Sequence, residues 1–112
     1  MELIVEHHAA ATLIRVNATR IDAPTALHFK EEMRSTTGKD EGRFILDLQH
    51  VTFIDSSGLG AVVASMKQLR PGQTLELAAL QPIVDKVFRL TRMDTIFAIH
   101  ADADRAVACE KT

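Results

Sequence analysis

The stretch Asp55–Gly60, Asp-Ser-Ser-Gly-Leu-Gly, constrains this chain most, because the residue pattern changes from that of a strand to that of a helix across it. Before it, residues 44–48 and 51–54 are apolar, branched and aromatic, which predicts a buried strand and its exit. After it, apolar residues recur every three or four positions, as on one face of an amphipathic helix: Leu59, Val62, Val63, Met66 and Leu69. The stretch is therefore predicted to be a corner between a strand and a helix.

The corner carries residue types that favour a helix start. Ser56 and Ser57 lie where side-chain hydroxyls often cap a helix, and Gly58 and Gly60 allow the backbone to turn tightly or to pack closely. A helix start has unpaired N–H groups and the positive end of the dipole, so an anion attached or bound there is stabilised. Capping alone explains a serine at this place. It does not explain two serines after an acid, followed by glycines that leave the corner accessible.

The hexapeptide follows an apolar run that ends in Phe53-Ile54, and the combination resembles the phosphorylation-site motif of the STAS domain. It is most similar to the motif of the anti-sigma factor antagonists, or anti-anti-sigma factors, of bacterial partner-switching systems. In that family the serine directly after the aspartate accepts the phosphate, which implies that Ser56 is the phosphorylation site, with Ser57 as second choice. The resemblance in element order extends, more weakly, over nearly the whole chain.

The resemblance also implies a partner-binding surface around the corner. A second family segment, Gly-x-hydrophobic-Asp, matches Thr19 to Asp22, with Thr19 in place of the glycine. This difference bears on the shape of the turn and on any interface role of Arg20 and Asp22. From its position before Pro24, Asp22 is also predicted to cap a helix. The residues expected to contact a partner are Asp22, Asp55, Ser56, Ser57, Gly58, Leu59 and Gly60.

The function that the resemblance implies is that of a non-enzymatic switch. The unphosphorylated protein would bind an anti-sigma factor that is itself a serine kinase of the histidine-kinase-like ATPase fold, and so release the sigma factor. The kinase would phosphorylate Ser56, and the phosphorylated protein would no longer bind it. A PP2C-type phosphatase would restore the binding form. An alternative is a constitutive STAS subunit of a lipid-transport ABC complex, or another regulatory binding module that does not act on a sigma factor.

Other chemistry has less support in the sequence. A serine hydrolase needs a base oriented by a third group, but the motif is not Gly-x-Ser-x-Gly, and no histidine lies in a context that suggests a partner. The P-loop pattern does not occur either, although a helix start leaves nucleotide binding open. Adjacent strand residues point to opposite faces, so His7 and His8 predict no metal site, and no cofactor is implied.

The periodicity predicts a single α/β domain over residues 1–112, in the order β-β-α-β-α-β-α-β-α. The strands are expected at residues 3–5, 12–16, 44–48, 75–78 and 96–99, and the helices at Asp22, at the corner, at Gln81-Pro82 and near Asp102 or Asp104. Alternating strands and helices imply parallel neighbours, and the first two strands an antiparallel hairpin. The expected architecture is a STAS domain, a small mixed sheet of four to five strands with helices packed mainly on one face.

Four details of this prediction concern two connections and the buried faces of two helices. Residues 17–21 are expected to be a connector and residues 34–42 a polar loop. The first helix is expected to bury Ala23, Ala26, Leu27, Phe29 and Met33, and the third Ile83, Val84, Val87, Phe88 and Thr91.

Composition restricts the partners and the compartment. The net charge of −2 gives no general electrostatic basis for binding nucleic acid. The single cysteine, Cys109, cannot form an internal disulfide, which fits a reducing compartment. The N-terminus does not have the pattern of a signal peptide, and no apolar run approaches the length that spans a bilayer. A cytoplasmic protein without membrane insertion is expected.

Overall fold

The apolar strands form a five-stranded mixed sheet in the computed structural model, which describes residues 1–108; Cys109 lies outside the described residues. In chain order the elements are β1 (Glu2–His7), β2 (Thr12–Asn17), β3 (Arg20–Ile21), α1 (Ala23–Thr37), β4 (Arg43–Asp47), β5 (Phe53–Ile54), α2 (Ser56–Lys67), β6 (Thr74–Ala78), α3 (Pro82–Leu90), a 3-10 turn (Met93–Thr95), β7 (Ile99–His100) and α4 (Ala103–Ala108). The strand order is β1-β2-β4-β6-β7, with β1 antiparallel to β2 and the other neighbours parallel.

The alternation of side chains along β2 divides the core between the two faces of the sheet. Ile14 and Val16 enter the main core, to which α1, α2 and α3 contribute, whereas Leu13 lies in a smaller core on the other face. The smaller core is closed by α4, through Ala103, Ala106 and Val107. Three helices therefore cover one face and one short helix the other, which confirms the predicted architecture.

A second, two-stranded sheet holds the corner in place. β3 and β5 run parallel, with Arg20 opposite Phe53 and Ile21 opposite Ile54. The prediction that residues 17–21 are only a connector is thus wrong in part, because two paired residues are too few to produce a periodic pattern. Ile21 and Ile54 are buried in the main core. Since α1 follows β3 and α2 follows β5, this pairing brings the starts of the two helices side by side.

The first helix differs from the prediction in its end and in its buried face. It continues to Thr37, where the buried Thr37 hydroxyl donates a hydrogen bond to the Met33 carbonyl at 2.8 Å. This bond satisfies a polar side chain inside the helix, so the polar run that begins at Arg34 is not all loop. Leu27 is 64% exposed and Ala23 is exposed as well, so the buried face is narrower than predicted and centres on Phe29 and Met33.

The last third of the chain differs in a similar way. Ile83 is 63% exposed, and the last strand is Ile99–His100 rather than residues 96–99. Phe97 lies before this strand and packs its ring edge-on against Phe88, with the ring centres 6.2 Å apart. Asp102 lies directly before α4, and its Oδ1 accepts a hydrogen bond from the Arg105 N–H at 3.1 Å. No helix within residues 1–108 is both long and apolar enough to cross a membrane.

Candidate functional site

The corner has the predicted strand-to-helix form, but its capping residue is the acid and not a serine. Asp55 is the N-cap of α2, and its Oδ1 accepts a hydrogen bond from the Gly58 N–H at 2.8 Å. Ser56 and Ser57 are the first two helical residues, and both are exposed. Neither hydroxyl makes a hydrogen bond to the described residues. The expectation that the serines cap the helix is therefore wrong, because a carboxylate one residue earlier occupies that role.

Asp55 also reaches the start of the first helix. Its second carboxylate oxygen, Oδ2, accepts a hydrogen bond from the backbone N–H of Ala23 at 3.1 Å. The N–H groups of Gly58 and Ala23 each lie in the first turn of a helix, where the helix itself provides no acceptor. One side chain thus serves two helix starts, and the dipoles of both favour its negative charge.

Asp22 caps α1 as predicted. Its N–H donates to Thr25 Oγ1 at 3.0 Å, and its side chain accepts from the backbone N–H of Thr25, which is a reciprocal arrangement at the helix start. The Thr25 hydroxyl also donates to Asp22 Oδ1 at 3.0 Å. Oδ2 accepts a hydrogen bond from Arg20 Nε at 2.9 Å. The bond from Arg20 is the main reason that the pKa of Asp22 is lowered; desolvation opposes it and the bonds from Thr25 add to it.

Arg20 and Phe53 form a pair that the sequence did not indicate. The guanidinium lies over the Phe53 ring, 4.3 Å from its centre, as in a cation–π contact. Both side chains are on the outer face of the two-stranded sheet, since Ile21 and Ile54 point into the core. The two residues are 33 positions apart, so only the pairing of β3 with β5 shows that they meet.

Thr19 occupies the turn before β3 without strain. Its carbonyl accepts hydrogen bonds from the N–H groups of Thr52 and Phe53, at 2.8 and 3.2 Å. Among residues 1–108 the positive φ angles of residues other than glycine belong to Ala79 and Arg92, so the backbone of Thr19 does not need a glycine. The difference from the family segment thus leaves β3 intact.

The two glycines of the corner have opposite environments. A Cβ on Gly58 would overlap the backbone carbonyl oxygen of Ile21, so α2 packs directly on β3 and only glycine fits there. A Cβ on Gly60 would meet nothing within 4 Å, and Gly60 is exposed. Leu59, between them, is partly buried and packs against the main core. Of the predicted contact residues, Ser56, Ser57 and Gly60 are therefore the most accessible.

The fold and the corner agree with a comparison of the whole chain against known families. The model of the STAS domain matches residues 2–106. The chain belongs to the STAS domain family. This confirms the resemblance that the hexapeptide indicated.

Two relatives of this STAS domain carry the name of anti-sigma factor antagonist. BtrV of Bordetella bronchiseptica, named as a candidate anti-sigma factor antagonist, is 33% identical over 82% of this chain and 80% of its own. The anti-sigma-B factor antagonist of Listeria monocytogenes is 35% identical over 73% of each chain.

The solved structures of SpoIIAA, a Bacillus cell fate determinant and anti-sigma factor antagonist, show the same fold. The unphosphorylated form has a TM-score of 0.74 at 21% identity, covering 95% of this chain and 93% of SpoIIAA. The phosphorylated form has a TM-score of 0.68 at 20% identity, covering 96% and 97%.

The histidine pair of this STAS domain lies away from the corner, at the end of β1. His7 Nε2 is 3.0 Å from Asp40 Oδ2, and His8 Nε2 is 3.3 Å from Glu6 Oε1, so the two rings face different carboxylates. Within residues 1–108 there is no group of three histidine, cysteine, aspartate or glutamate side chains that could hold a metal ion.

Proposed function

We propose that this STAS domain is an anti-sigma factor antagonist, and that phosphorylation of Ser56 controls its binding to an anti-sigma factor. The observation that carries the proposal is the state of the Ser56 hydroxyl. It is exposed on the first residue of α2 and makes no hydrogen bond to the described residues, because Asp55 does the capping. A kinase can therefore modify Ser56 without breaking a bond that holds the fold.

The proposed cycle has two states. Unphosphorylated, the domain binds an anti-sigma factor that is also a serine kinase of the histidine-kinase-like ATPase fold. Phosphorylation of Ser56 ends that binding, and a PP2C-type phosphatase removes the phosphate. The domain acts in the cytoplasm as a binding module and not as an enzyme. The names of the relatives from Bordetella and Listeria support this assignment.

The surface around Ser56 supports a switch that acts at the interface. Ser57 and Gly60 are exposed beside it, and Gly60 offers a place where another backbone or side chain can come close. A phosphate adds between about 1.5 and 2 negative charges. A partner packed on this surface would have to desolvate that charge without having donors ready for it. In the free domain the phosphate lies at a helix start, whose dipole favours its negative charge.

The site assignment is tested by phosphorylation with the cognate kinase and ATP, followed by peptide mapping in a mass spectrometer. Ser56→Ala should remove the label and keep binding to the kinase, whereas Ser57→Ala, the matched control, should keep both. Ser57 is exposed as well, so label that persists on Ser57 in the Ser56→Ala protein would overturn the assignment.

The alternative of a constitutive subunit makes a different prediction for the same variants. Such a subunit would bind its partner equally well with Ser56→Ala and Ser56→Glu. A switch requires Ser56→Glu to bind the partner more weakly than Ser56→Ala does.

A further inference from the structure

Arg20 is anchored on two sides at the corner. Its Nε donates to Asp22 Oδ2 at 2.9 Å, and its Cζ atom lies over the Phe53 ring, 4.3 Å from the ring centre. Its side chain is nevertheless 58% exposed, and the two terminal nitrogens, Nη1 and Nη2, make no hydrogen bond to the described residues. The group is therefore held in position, with its two terminal nitrogens available to an anion.

We propose that Arg20 binds the phosphoryl group when Ser56 is phosphorylated. The inference rests on the proposed function, which assigns the phosphate to Ser56. Its basis is the register of the two-stranded sheet, in which Ile21 lies opposite Ile54. The chains then continue side by side into Asp22 and Asp55, and Ser56 comes next.

We infer from this register and from general strand spacing that Arg20 can reach a phosphate on Ser56. Neighbouring strands lie about 4.8 Å apart, and consecutive Cα atoms about 3.8 Å. The guanidinium is fixed on the carboxylate of Asp22, one strand away from the residue that precedes Ser56. The planar fork of arginine also matches phosphate oxygens better than a lysine ammonium does.

The charges at the corner favour the attached phosphate over an acidic partner. Asp22 and Asp55 contribute two negative charges against the one positive charge of Arg20, which repels an acid that approaches from solution. A phosphate on Ser56 is held there covalently. Both carboxylate oxygens of Asp55 already accept hydrogen bonds from backbone N–H groups. The terminal nitrogens of Arg20 can donate to the phosphate while Nε stays bonded to Asp22. Phosphorylation would then occupy the terminal nitrogens of Arg20, and so change the charge that this part of the binding surface presents.

The test uses protein with phosphoserine placed at position 56 during translation, so it needs no kinase. A nearby cation favours the dianion of the phosphate and lowers its second pKa. We expect Arg20→Gln to raise the midpoint of the 31P NMR titration by about 0.3 pH unit or more, the size of an exposed ion pair. Arg20→Lys should raise it by less. Arg70→Gln, which alters an exposed arginine paired with Glu41, is the control and should leave the midpoint unchanged.

Two further variants separate the parts of the arrangement. Phe53→Leu keeps the charge of Arg20 and removes the ring beneath it, so it should give an intermediate rise. Asp22→Asn removes the carboxylate that holds Arg20 and should lower the midpoint of the titration. This lowering should be smaller in the Arg20→Gln background if the two residues are coupled.

Equal midpoints for Arg20→Gln and Arg70→Gln, in proteins shown to be folded by their amide NMR spectra, would overturn the role of Arg20. That result would leave the assignment of Ser56 as the phosphorylated residue unchanged. If the kinase labels another residue, the proposed function fails at Ser56, whatever the titration shows.

Discussion

The carboxylate of Asp55, the cap of α2, also accepts a hydrogen bond from the N–H of Ala23, the first residue of α1, at 3.1 Å. The two residues are 32 positions apart in the chain. The starts of both helices are thereby tied to one side chain, directly before Ser56. The backbone around Ser56 is therefore held by hydrogen bonds before a phosphate is attached or a partner binds there.

Replacing Asp55 should cost more stability than replacing a cap of a single helix. Removal of one N-cap costs about 0.5–2 kcal/mol, and Asp55→Ala leaves an N–H group without a partner in each of two helices. We expect a loss of about 2 kcal/mol or more in the free energy of unfolding, measured by urea denaturation. Asp102→Ala, which removes one bond at the start of α4, is the comparison. An equal loss in both variants would mean that the bond to Ala23 contributes nothing.

The corner could be predicted from the sequence because its parts are local. The apolar run before Asp55 and the stripe after it each lie within one short window of sequence. The alternation along β2 is local in the same way, with Leu13 on one face of the sheet and Ile14 on the other. Asp22 could be predicted as a cap for the same reason, since its bonds to Thr25 span three residues.

The bonds that join distant segments could not be predicted. Nothing near Asp55 shows that it reaches Ala23, and nothing near Arg20 shows that it lies on Phe53. Even the choice of cap was wrong, because serine and aspartate have similar N-cap preferences and only the geometry decides between adjacent candidates. Leu27 was predicted to be buried and is exposed. A periodic pattern identifies an apolar face of a helix but does not show how much of that face a neighbouring element covers.

The two glycines of the corner should respond in opposite directions to alanine. Gly58→Ala forces a methyl group into the Ile21 carbonyl, and overpacking of this kind costs about 1–3 kcal/mol or more. Gly60→Ala places its methyl group in open space inside a helix, where alanine is favoured by roughly 0.5–1 kcal/mol. Urea denaturation of both variants measures the two effects. A loss of stability in Gly60→Ala would show that α2 is not helical there.

Asp22 should make stability depend on pH in the acid range. Its pKa is lowered in the folded state, chiefly by Arg20, so its contribution is present above the unfolded pKa of about 3.9 and is lost as the pH falls through the folded value. We expect the difference in unfolding free energy between wild type and Asp22→Asn to be largest near pH 6 and to shrink toward about pH 2.5. Arg20→Gln should reduce this pH dependence. A difference that stays constant with pH would mean that the charge of Asp22 contributes nothing to stability.

Ser56→Glu should separate binding from folding. Its carboxylate adds charge beside Asp55, but at a helix start, where the dipole favours it, so thermal stability should stay within about 1 kcal/mol of wild type. A partner packed on Ser56 and Gly60 must desolvate that charge, so affinity for the kinase should fall about tenfold or more, which is about 1.4 kcal/mol. Ser56→Gln, of the same size and uncharged, should bind more tightly than Ser56→Glu. Calorimetric melting and binding titration on one preparation measure both quantities. If Ser56→Glu unfolds while its folded fraction binds normally, the charge acts on the fold and not on the interface.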